Sequence, residues 1–148
     1  MALAEHVSQW SKDPSTKVGA VIVNDRRIVV AIGYNGFPRG VSDDPERYAD
    51  RPTKYSFVVH AEMNAILNAT EDVRGCTLYV TLAPCNECTK LVVQSGIGTI
   101  VTPPRNEAYA ELHGARASEA MLAEAGVNHI VLREFTAPVI HAPIGGLA

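Results

Sequence analysis

The sequence contains few cysteines, no block of basic residues and no repeated segment. It has 148 residues, including three cysteines, and 13 lysines and arginines against 16 aspartates and glutamates. A chain of this length can bury a hydrophobic core without disulfides. A formal net charge of −3, with no basic block, argues against a protein built to hold a long nucleic acid. A small, soluble substrate suits this charge balance better.

Long apolar runs are also missing, and no run reaches the length that crosses a bilayer. The first ten residues carry Glu5, His6 and Gln9, which is unlike a signal peptide. We therefore expect a cytoplasmic protein without a membrane partner, in a reducing compartment where thiolates stay unoxidised. The composition, 47% hydrophobic and 20% charged, is that of an ordinary globular domain. We expect one domain over residues 1–135, followed by an irregular tail over 136–148 that is rich in proline and glycine.

Hydrophobic periodicity predicts an α/β protein in which strands alternate with helices after an initial hairpin. This pattern favours a three-layer α/β/α arrangement around a mixed sheet. The predicted elements are, in order, a helix over 1–11, strands over 18–24 and 28–33, a long shaped loop over 35–56, a helix from about 60 to 67, a strand over 77–81, a helix over 85–95, a strand over 98–102, a helix over 108–125 and a strand over 129–133.

The most informative motif is His60-Ala61-Glu62 followed by Pro84-Cys85-Asn86-Glu87-Cys88. One imidazole and two thiolates can fill three corners of a zinc tetrahedron and leave the fourth for water. Glu62, two residues from the histidine, can then move protons to and from that water without binding the metal. Each half of the motif is weak by itself, because Cys-x-x-Cys also occurs in redox pairs and zinc fingers. Together they predict a catalytic Zn²⁺ held by His60, Cys85 and Cys88, with Glu62 as the proton shuttle.

Several further segments resemble the deoxycytidylate (dCMP) deaminases of the cytidine deaminase superfamily, and the resemblance covers roughly residues 1–133. The segments that carry it are 13–20 (DPSTKVGA), 33–40 (GYNGFPRG), 42–44 (SDD), 60–66 (HAEMNAI) and 85–88 (CNEC). The resemblance implies a five-stranded mixed sheet flanked by helices. It also implies hydrolytic deamination of dCMP to dUMP and ammonia, with zinc-bound hydroxide attacking C4 of the cytosine.

The same resemblance implies roles for other residues and for other ligands. Asn35 would hold the sugar hydroxyl, although an Asn-Gly turn is the alternative interpretation. The backbone N–H of Ala61 would donate to the pyrimidine carbonyl. The resemblance also implies a homo-oligomer, often a hexamer. Activation by dCTP and inhibition by dTTP, with Mg²⁺ accompanying the nucleotide, would involve the loop that contains Gly33, Gly36 and Arg39.

The substrate phosphate needs a basic partner, and Arg105 is a candidate. It follows the fourth predicted strand, near the carboxyl edge where ligands of open α/β sheets usually bind. An ordinary surface arginine is the alternative. Ala83 and the segment 103–116 depart from the family pattern, which leaves the substrate more open than the reaction.

Three alternatives to dCMP deamination stay open, and the first of them follows from these departures. The same chemistry could act on a modified dCMP, on deoxycytidine or cytidine, or on another aminated base. A tRNA or DNA deaminase is disfavoured by the acidity and by the lack of a basic or aromatic-rich tail. A catalytically inactive, zinc-binding regulatory subunit is the last alternative. It is disfavoured because Glu62 would have no function in such a protein.

Overall fold

The computed structural model describes residues 1–105 and 114–133. The five strands are β1 (Gly19–Val23), β2 (Val29–Tyr34), β3 (Thr77–Val80), β4 (Thr99–Thr102) and β5 (Asn128–Val131). The helices of the described part are α1 (Ala2–Ser8), α2 (Pro45–Ala49), α3 (Arg51–Phe57), α4 (Ala61–Asn68), α5 (Asn86–Gln94) and α6 (Ala115–Glu124).

The strands form one mixed sheet in the order β2-β1-β3-β4-β5. β1 is antiparallel to both β2 and β3, whereas β3, β4 and β5 run parallel to one another. Because Gly19 pairs with Tyr34 and Ala20 pairs with Val80, the start of β1 and the ends of β2 and β3 lie at one edge of the sheet. The end of β4 lies at the same edge. This edge therefore collects the segments that carry the predicted site residues.

Alternate residues of the central strands pack against helices on opposite faces of the sheet. Ala20, Ile22 and Leu78 belong to the larger core, which also contains Ala65 of α4, Val92 of α5 and Leu122 of α6. Val21 packs on the other face against Ala4 and Val7 of α1. Both faces of the sheet are thus covered, which confirms the predicted arrangement of a five-stranded mixed sheet with flanking helices.

Gly33 of β2 fixes how closely α4 approaches the sheet. A Cβ atom built on Gly33 would lie 2.3 Å from the backbone nitrogen of Ala65 and 2.4 Å from the carbonyl oxygen of Ala61. Contacts this short leave no room for any side chain at residue 33. The absence of a side chain therefore lets α4, and with it the first motif, rest directly on β2.

The main difference from the sequence prediction is the segment 35–56, which contains α2 and most of α3 rather than only a loop. Each helix has an aspartate cap: the side chain of Asp44 accepts from the backbone N–H of Glu46, and that of Asp50 accepts from Thr53. Pro45 and Pro52 stand in the first turns, where proline fits a helix. The glycine- and proline-rich composition concealed these capping signals.

Smaller differences concern the ends of elements. α1 ends at Ser8 rather than at residue 11, and β5 begins and ends earlier than predicted. The predicted helix over 108–125 is confirmed over Ala115–Glu124, while residues 106–113 lie outside the described ranges, as does the predicted tail. Among the described residues, no helix has the length and apolarity needed to cross a membrane.

Candidate active site

The two halves of the zinc motif lie at the starts of neighbouring helices. His60 caps α4, and Cys85 caps α5, with Cys88 in the first turn of α5. The sulfur of Cys85 accepts a hydrogen bond from the backbone N–H of Cys88, at an N···S distance of 3.5 Å. The partial positive charge at a helix start favours thiolate over thiol. The fold therefore brings the three predicted ligands together where their metal-binding forms are stabilised.

The geometry of these three side chains fits a zinc ion. Nδ1 of His60 lies 3.2 Å from Sγ of Cys88 and 3.5 Å from Sγ of Cys85. The ligand atoms all lie within 4.8 Å of one another. Zn–N and Zn–S bonds of ordinary length at tetrahedral angles place nitrogen and sulfur about 3.6 Å apart. Among the described residues this is the one such cluster of histidine, cysteine or carboxylate groups, and Zn²⁺ is the cofactor that it suits.

The two thiols are electrostatically unequal. A hydrogen bond from Cys88, helped by His60 and by the backbone N–H of Cys88, lowers the pKa of Cys85 to about 3. The hydrogen bond to Cys85, together with burial, raises the pKa of Cys88. One thiolate is therefore already present, and the second proton must leave when a metal binds both sulfurs.

Glu62 is buried beside the ligands, with 4% of its surface exposed. Burial raises the pKa of this carboxyl group; its own backbone N–H and the charge of His60 oppose that rise. A raised pKa brings the carboxyl group towards the range in which it can both take and give a proton at neutral pH. The placement matches the role that the motif predicts for Glu62.

A cavity of about 630 Å³, partly open to solvent, lies in front of these residues. His60, Ala61, Glu62 and Cys85 line one end of it. The rest of the lining is Asp13, Thr16, Val18, Asn35, Lys54, Tyr55, Val58, Leu82 and Ala83. We call His60, Glu62, Cys85 and Cys88 the metal end, and Asp13, Thr16, Asn35 and Lys54 the polar wall.

An ion pair buried in the polar wall joins the turn before β1 to α3. Nζ of Lys54 lies 2.9 Å from Oδ2 of Asp13, and the two side chains are 8% and 2% exposed. The same ammonium group donates to Oγ of Ser15 at 2.5 Å. Burial alone would raise the pKa of Asp13, but hydrogen bonds from Lys54, Ser15 and Thr16 outweigh it and lower the pKa. The pair therefore stays charged and holds the turn in place.

Asn35 is held in the polar wall by its side-chain amide. Its Oδ1 accepts from the backbone N–H of Val18 at 2.8 Å, and its Nδ2 donates to the carbonyl oxygen of Thr16 at 2.9 Å. Nδ2 also lies 3.5 Å from Oδ2 of Asp13. An amide oxygen has two lone pairs, so Oδ1 retains capacity to accept one more hydrogen bond from the cavity.

The remaining predicted residues lie outside the cavity lining, except Ala61. As the first residue of α4, Ala61 has a backbone N–H without an acceptor inside the helix. Gly33 is occupied by packing under α4, Gly36 pairs with Val59 through an isolated bridge, and Arg39 donates to Oδ1 of Asn68. A nucleotide contact at these three residues stays a prediction.

Arg105 lies beside the loop before α5. Its Nη1 donates to the carbonyl oxygen of Pro84 at 3.3 Å, and the residue is partly buried. In the described part of the chain it does not line the cavity. A phosphate contact at Arg105 stays a prediction.

Sequence reasoning did not single out Asp13 and Lys54 as site residues. They are 41 residues apart, and neither belongs to a motif that predicts a buried ion pair. The segment 13–20, which contains Asp13, was recognised only as part of the family resemblance.

A histidine and two cysteines at the starts of two helices, with a buried glutamate facing the same cavity, define the class of zinc-dependent hydrolytic deaminases. The comparisons with known proteins agree with this class. Residues 1–103 match the family described as the cytidine and deoxycytidylate deaminase zinc-binding region. The chain belongs to this family.

Similar proteins include the deoxycytidylate deaminase of Mus musculus, which is 45% identical over 142 residues, or 92% of this chain and 77% of the relative. The Homo sapiens deoxycytidylate deaminase is 46% identical over 134 residues, or 86% of this chain and 74% of the relative. A solved structure of dCMP deaminase from the cyanophage S-TIM5, in complex with dCMP and dUMP, is 28% identical with a TM-score of 0.71. The match covers 88% of this chain and 92% of that one.

Proposed function

We propose that this protein hydrolyses dCMP to dUMP and ammonia. The observation that carries the proposal is the cluster of His60, Cys85 and Cys88 beside the buried Glu62, at the end of a cavity large enough for a nucleotide base. The substrate assignment is supported by similarity to deoxycytidylate deaminases at about 45% identity. Zn²⁺ held by these three side chains would supply a Lewis acid that makes water nucleophilic at neutral pH.

Glu62 manages the protons of the reaction. Water adds to C4 of the cytosine, and the Glu62 carboxylate takes one of its protons and passes it to N3 of the ring. The proton of the new C4 hydroxyl group then reaches the amino group through Glu62, the C4–N bond breaks, and ammonia leaves as the C4 carbonyl forms. Burial raises the pKa of the Glu62 carboxyl group, so its protonated form is more accessible than that of an exposed glutamate, as a group that must both take and give a proton requires.

The base and the sugar are oriented by two polar groups that face the cavity. The backbone N–H of Ala61, which has no acceptor within α4, donates to the pyrimidine carbonyl. The second lone pair on Oδ1 of Asn35 accepts from a sugar hydroxyl. Together they place C4 towards the metal end.

A substrate panel tests the proposal. Ammonia release by the zinc-loaded protein is measured with dCMP, CMP, deoxycytidine, dCTP and cytosine, with the Glu62→Gln protein as the blank. We expect the largest kcat/KM with dCMP. Faster turnover of another compound would reassign the substrate within the same chemistry. No ammonia from any pyrimidine by the zinc-loaded protein would contradict the enzyme assignment and favour a regulatory subunit.

We also propose that the protein is a homo-oligomer regulated by dCTP, dTTP and Mg²⁺ through the loop around Gly36 and Arg39, and that it works in the reducing cytoplasm. The resemblance described above and the need for unoxidised Cys85 and Cys88 support these points. Assays of dCMP turnover with each triphosphate, with and without Mg²⁺, together with sedimentation, test them. Unchanged kinetics and a monomer would contradict the regulatory and oligomeric parts.

A further inference from the structure

Buried groups of the protein decide how Asn35 faces the cavity. Its Oδ1 accepts from the backbone N–H of Val18 at 2.8 Å, and its Nδ2 donates to the carbonyl oxygen of Thr16 at 2.9 Å and lies 3.5 Å from Oδ2 of Asp13. The hydroxyl group of Ser11 donates to the backbone carbonyl oxygen of Asn35 at 2.8 Å. Because only 6% of Asn35 is exposed, these contacts outweigh those with water.

The amide group of Asn35 has an acceptor side and a donor side, so its orientation depends on what faces each side. The N–H of Val18 faces Oδ1, and the two acceptors, from Thr16 and Asp13, face Nδ2. A half-turn of the amide would set oxygen against oxygen at Thr16 and Asp13, and N–H against N–H at Val18. Asp13 carries a full charge, and its repulsion of an amide oxygen would persist at 3.5 Å in a buried site.

The two oxygens of Asp13 have separate partners. Oδ1 accepts from the backbone N–H groups of Ser15 and Thr16 at 2.8 and 3.1 Å, whereas Oδ2 is the oxygen that faces Asn35. Nζ of Lys54 lies 3.1 Å from Oδ1 and 2.9 Å from Oδ2, and it also donates to Oγ of Ser15. An ammonium group has three protons, and these three acceptors can use all of them. Lys54 therefore keeps Asp13 charged rather than binding a ligand.

We propose that Asp13 is a positioning residue that turns the oxygen of the Asn35 amide, rather than its nitrogen, towards the sugar of the substrate. The proposal rests on the proposed function, in which Oδ1 of Asn35 accepts from a sugar hydroxyl group. The carboxylate of Asp13 acts through Asn35, and Lys54 acts through Asp13.

This orientation also restricts the group at C3′ of the nucleotide. dCMP has a single sugar hydroxyl group, at C3′, and this group donates its proton to Oδ1 of Asn35. A nucleotide inside a DNA strand has a phosphodiester oxygen at C3′ without a proton, and its anionic oxygens would lie close to Oδ1 of Asn35 and to the carboxylate of Asp13. We therefore expect the polar wall to select nucleotides with a free 3′ hydroxyl group.

The competing explanation is that Asp13 only stabilises the turn before β1. Two substrates separate orientation from stability: dCMP and its 3′-fluoro analogue, in which fluorine replaces the hydroxyl group and has no proton to donate. Values of kcat/KM are measured for both with the zinc-loaded, full-length wild type, Asp13→Asn, Asn35→Ala and Ser11→Ala. Ser11→Ala is the matched control, because Ser11 is 2% exposed and contacts the backbone of Asn35 and Asp13 rather than the side-chain amide.

Asp13→Asn should reverse the polarity that faces the Asn35 amide. The backbone N–H groups of Ser15 and Thr16 hold the remaining oxygen in the place of Oδ1, so the new NH2 group takes the place of Oδ2 and faces Nδ2 of Asn35. We expect the wild type to prefer dCMP to the fluoro analogue about tenfold, and this ratio to fall to about one in Asp13→Asn and in Asn35→Ala. Ser11→Ala should lower both values alike and keep the ratio.

An equal loss with both nucleotides in Asp13→Asn would overturn the proposal, because it would indicate a purely structural role. A wild type that does not prefer dCMP would overturn it too, since the hydroxyl proton would then have no acceptor in the site. Turnover of deoxycytidine 3′,5′-bisphosphate close to that of dCMP would contradict the selection at C3′. A wild type that releases no ammonia from dCMP would instead overturn the proposed function itself.

The single substitution Asp13→Asn leaves Lys54 buried without its ionic partner, which lowers the stability of the variant. Asp13→Asn combined with Lys54→Met removes both charges, and replacement of a buried pair by neutral side chains of similar size is often tolerated. This double variant keeps the test valid if the single variant does not fold. The NH2 group at position 13 still faces Asn35, so we expect the same loss of preference. A folded double variant that keeps the preference for dCMP would contradict the proposal.

Discussion

The metal end and the polar wall face each other across one cavity, yet they are built in different ways. The metal end takes its three ligands from the starts of two helices, and a hydrogen bond between its two thiol groups lowers the pKa of Cys85 and raises that of Cys88. The polar wall comes from the turn before β1, the end of β2 and α3, and its charges and amide are already paired within the protein. The metal end therefore needs a bound ion to complete its interactions, whereas the charged and amide groups of the polar wall already have partners within the protein.

Because of this contrast, substitutions at the two ends should affect different properties of the protein. A change at the metal end removes a reacting group while the surrounding backbone keeps its own hydrogen bonds. A change in the polar wall removes a partner from a buried charge, which raises the free energy of the folded state. Substitutions at the metal end should therefore reduce turnover, and those in the polar wall should reduce stability and weaken substrate binding.

Glu62→Gln gives the largest expected effect. The amide keeps the size of the side chain but cannot take a proton from water or return one to the leaving amine. We expect kcat for dCMP to fall about 10³-fold, within the range attributed to general acid–base catalysis. Steady-state kinetics measures this loss.

The control for Glu62→Gln is its zinc content and its thermal unfolding, both of which we expect to match the wild type because the ligands are untouched. A zinc-loaded variant with nearly normal turnover would refute the proton-shuttle role. A variant that lost zinc would make Glu62 a support for the metal rather than a proton carrier.

Lys54→Ala should give the largest loss of stability. Removal of the ammonium group leaves Asp13 buried without its ionic partner, and breaking one half of a buried pair costs about 3 kcal/mol or more. Urea denaturation of the metal-loaded protein measures the change in the free energy of unfolding. We also expect KM for dCMP to rise more than kcat falls, because Asn35 depends on the same turn.

The matched control is Lys12→Ala, which breaks the surface pair between Lys12 and Asp43. Here the two side chains are 68% and 34% exposed, and such pairs contribute at most about 1 kcal/mol. If both lysine substitutions cost the same, burial of the Asp13–Lys54 pair does not have the effect that we assign to it.

Gly33→Ala tests the residue on which α4, and with it the metal end, rests. The added methyl group would lie within 2.4 Å of backbone atoms of α4, and the helix can make room only by moving off β2. We expect a loss of about 2 kcal/mol, as in other overpacked cores, and weaker zinc binding. Unfolding curves and zinc titrations measure the two effects.

Gly36→Ala is the partner experiment, because a Cβ at Gly36 would meet no atom within 4 Å. We expect its stability to stay close to that of the wild type. It also separates packing from regulation, since a change in the response to dCTP or dTTP without a change in stability would support the predicted nucleotide loop. Equal losses of stability in the two variants would contradict the packing role of Gly33.

Most of the fold follows from short-range patterns. The strand positions follow from β-branched runs, and the ends of α5 and α6 follow from Gly96 and Gly126, which adopt positive φ angles of 75° and 69° just beyond these helices. The prediction of a loop over 35–56 is wrong because the composition of this segment outweighs the local capping signals at Asp44 and Asp50. Two short helices with aspartate caps satisfy their first backbone N–H groups despite a poor intrinsic propensity for helix.

The two ends of the cavity differ in the same way in how far the sequence predicts them. Ligand chemistry restricts a zinc site to a few residue types at short spacings, so His60, Cys85 and Cys88 can be recognised from the order of residues alone. The Asp13–Lys54 pair obeys no such restriction. Its members meet only because the end of α3 folds back over the turn before β1, and that is a property of the tertiary structure.

The smallest expected effect is the pH dependence that Asp13 gives to the free energy of unfolding. Its pKa is lowered in the folded protein, so the folded state binds this proton less readily than the unfolded chain does. The stabilisation is therefore fully present above the ordinary aspartate pKa of about 3.9 and is lost as the pH falls through the lower, folded value.

We expect the difference in unfolding free energy between the wild type and Asp13→Asn to be constant from about pH 7 to pH 5 and to narrow below about pH 4. Metal binding depends on pH, so the urea curves of the two proteins are subtracted at each pH to cancel the contribution that zinc makes to both. A difference that widens in acid would mean that Asp13 is not held as a charged partner of Lys54.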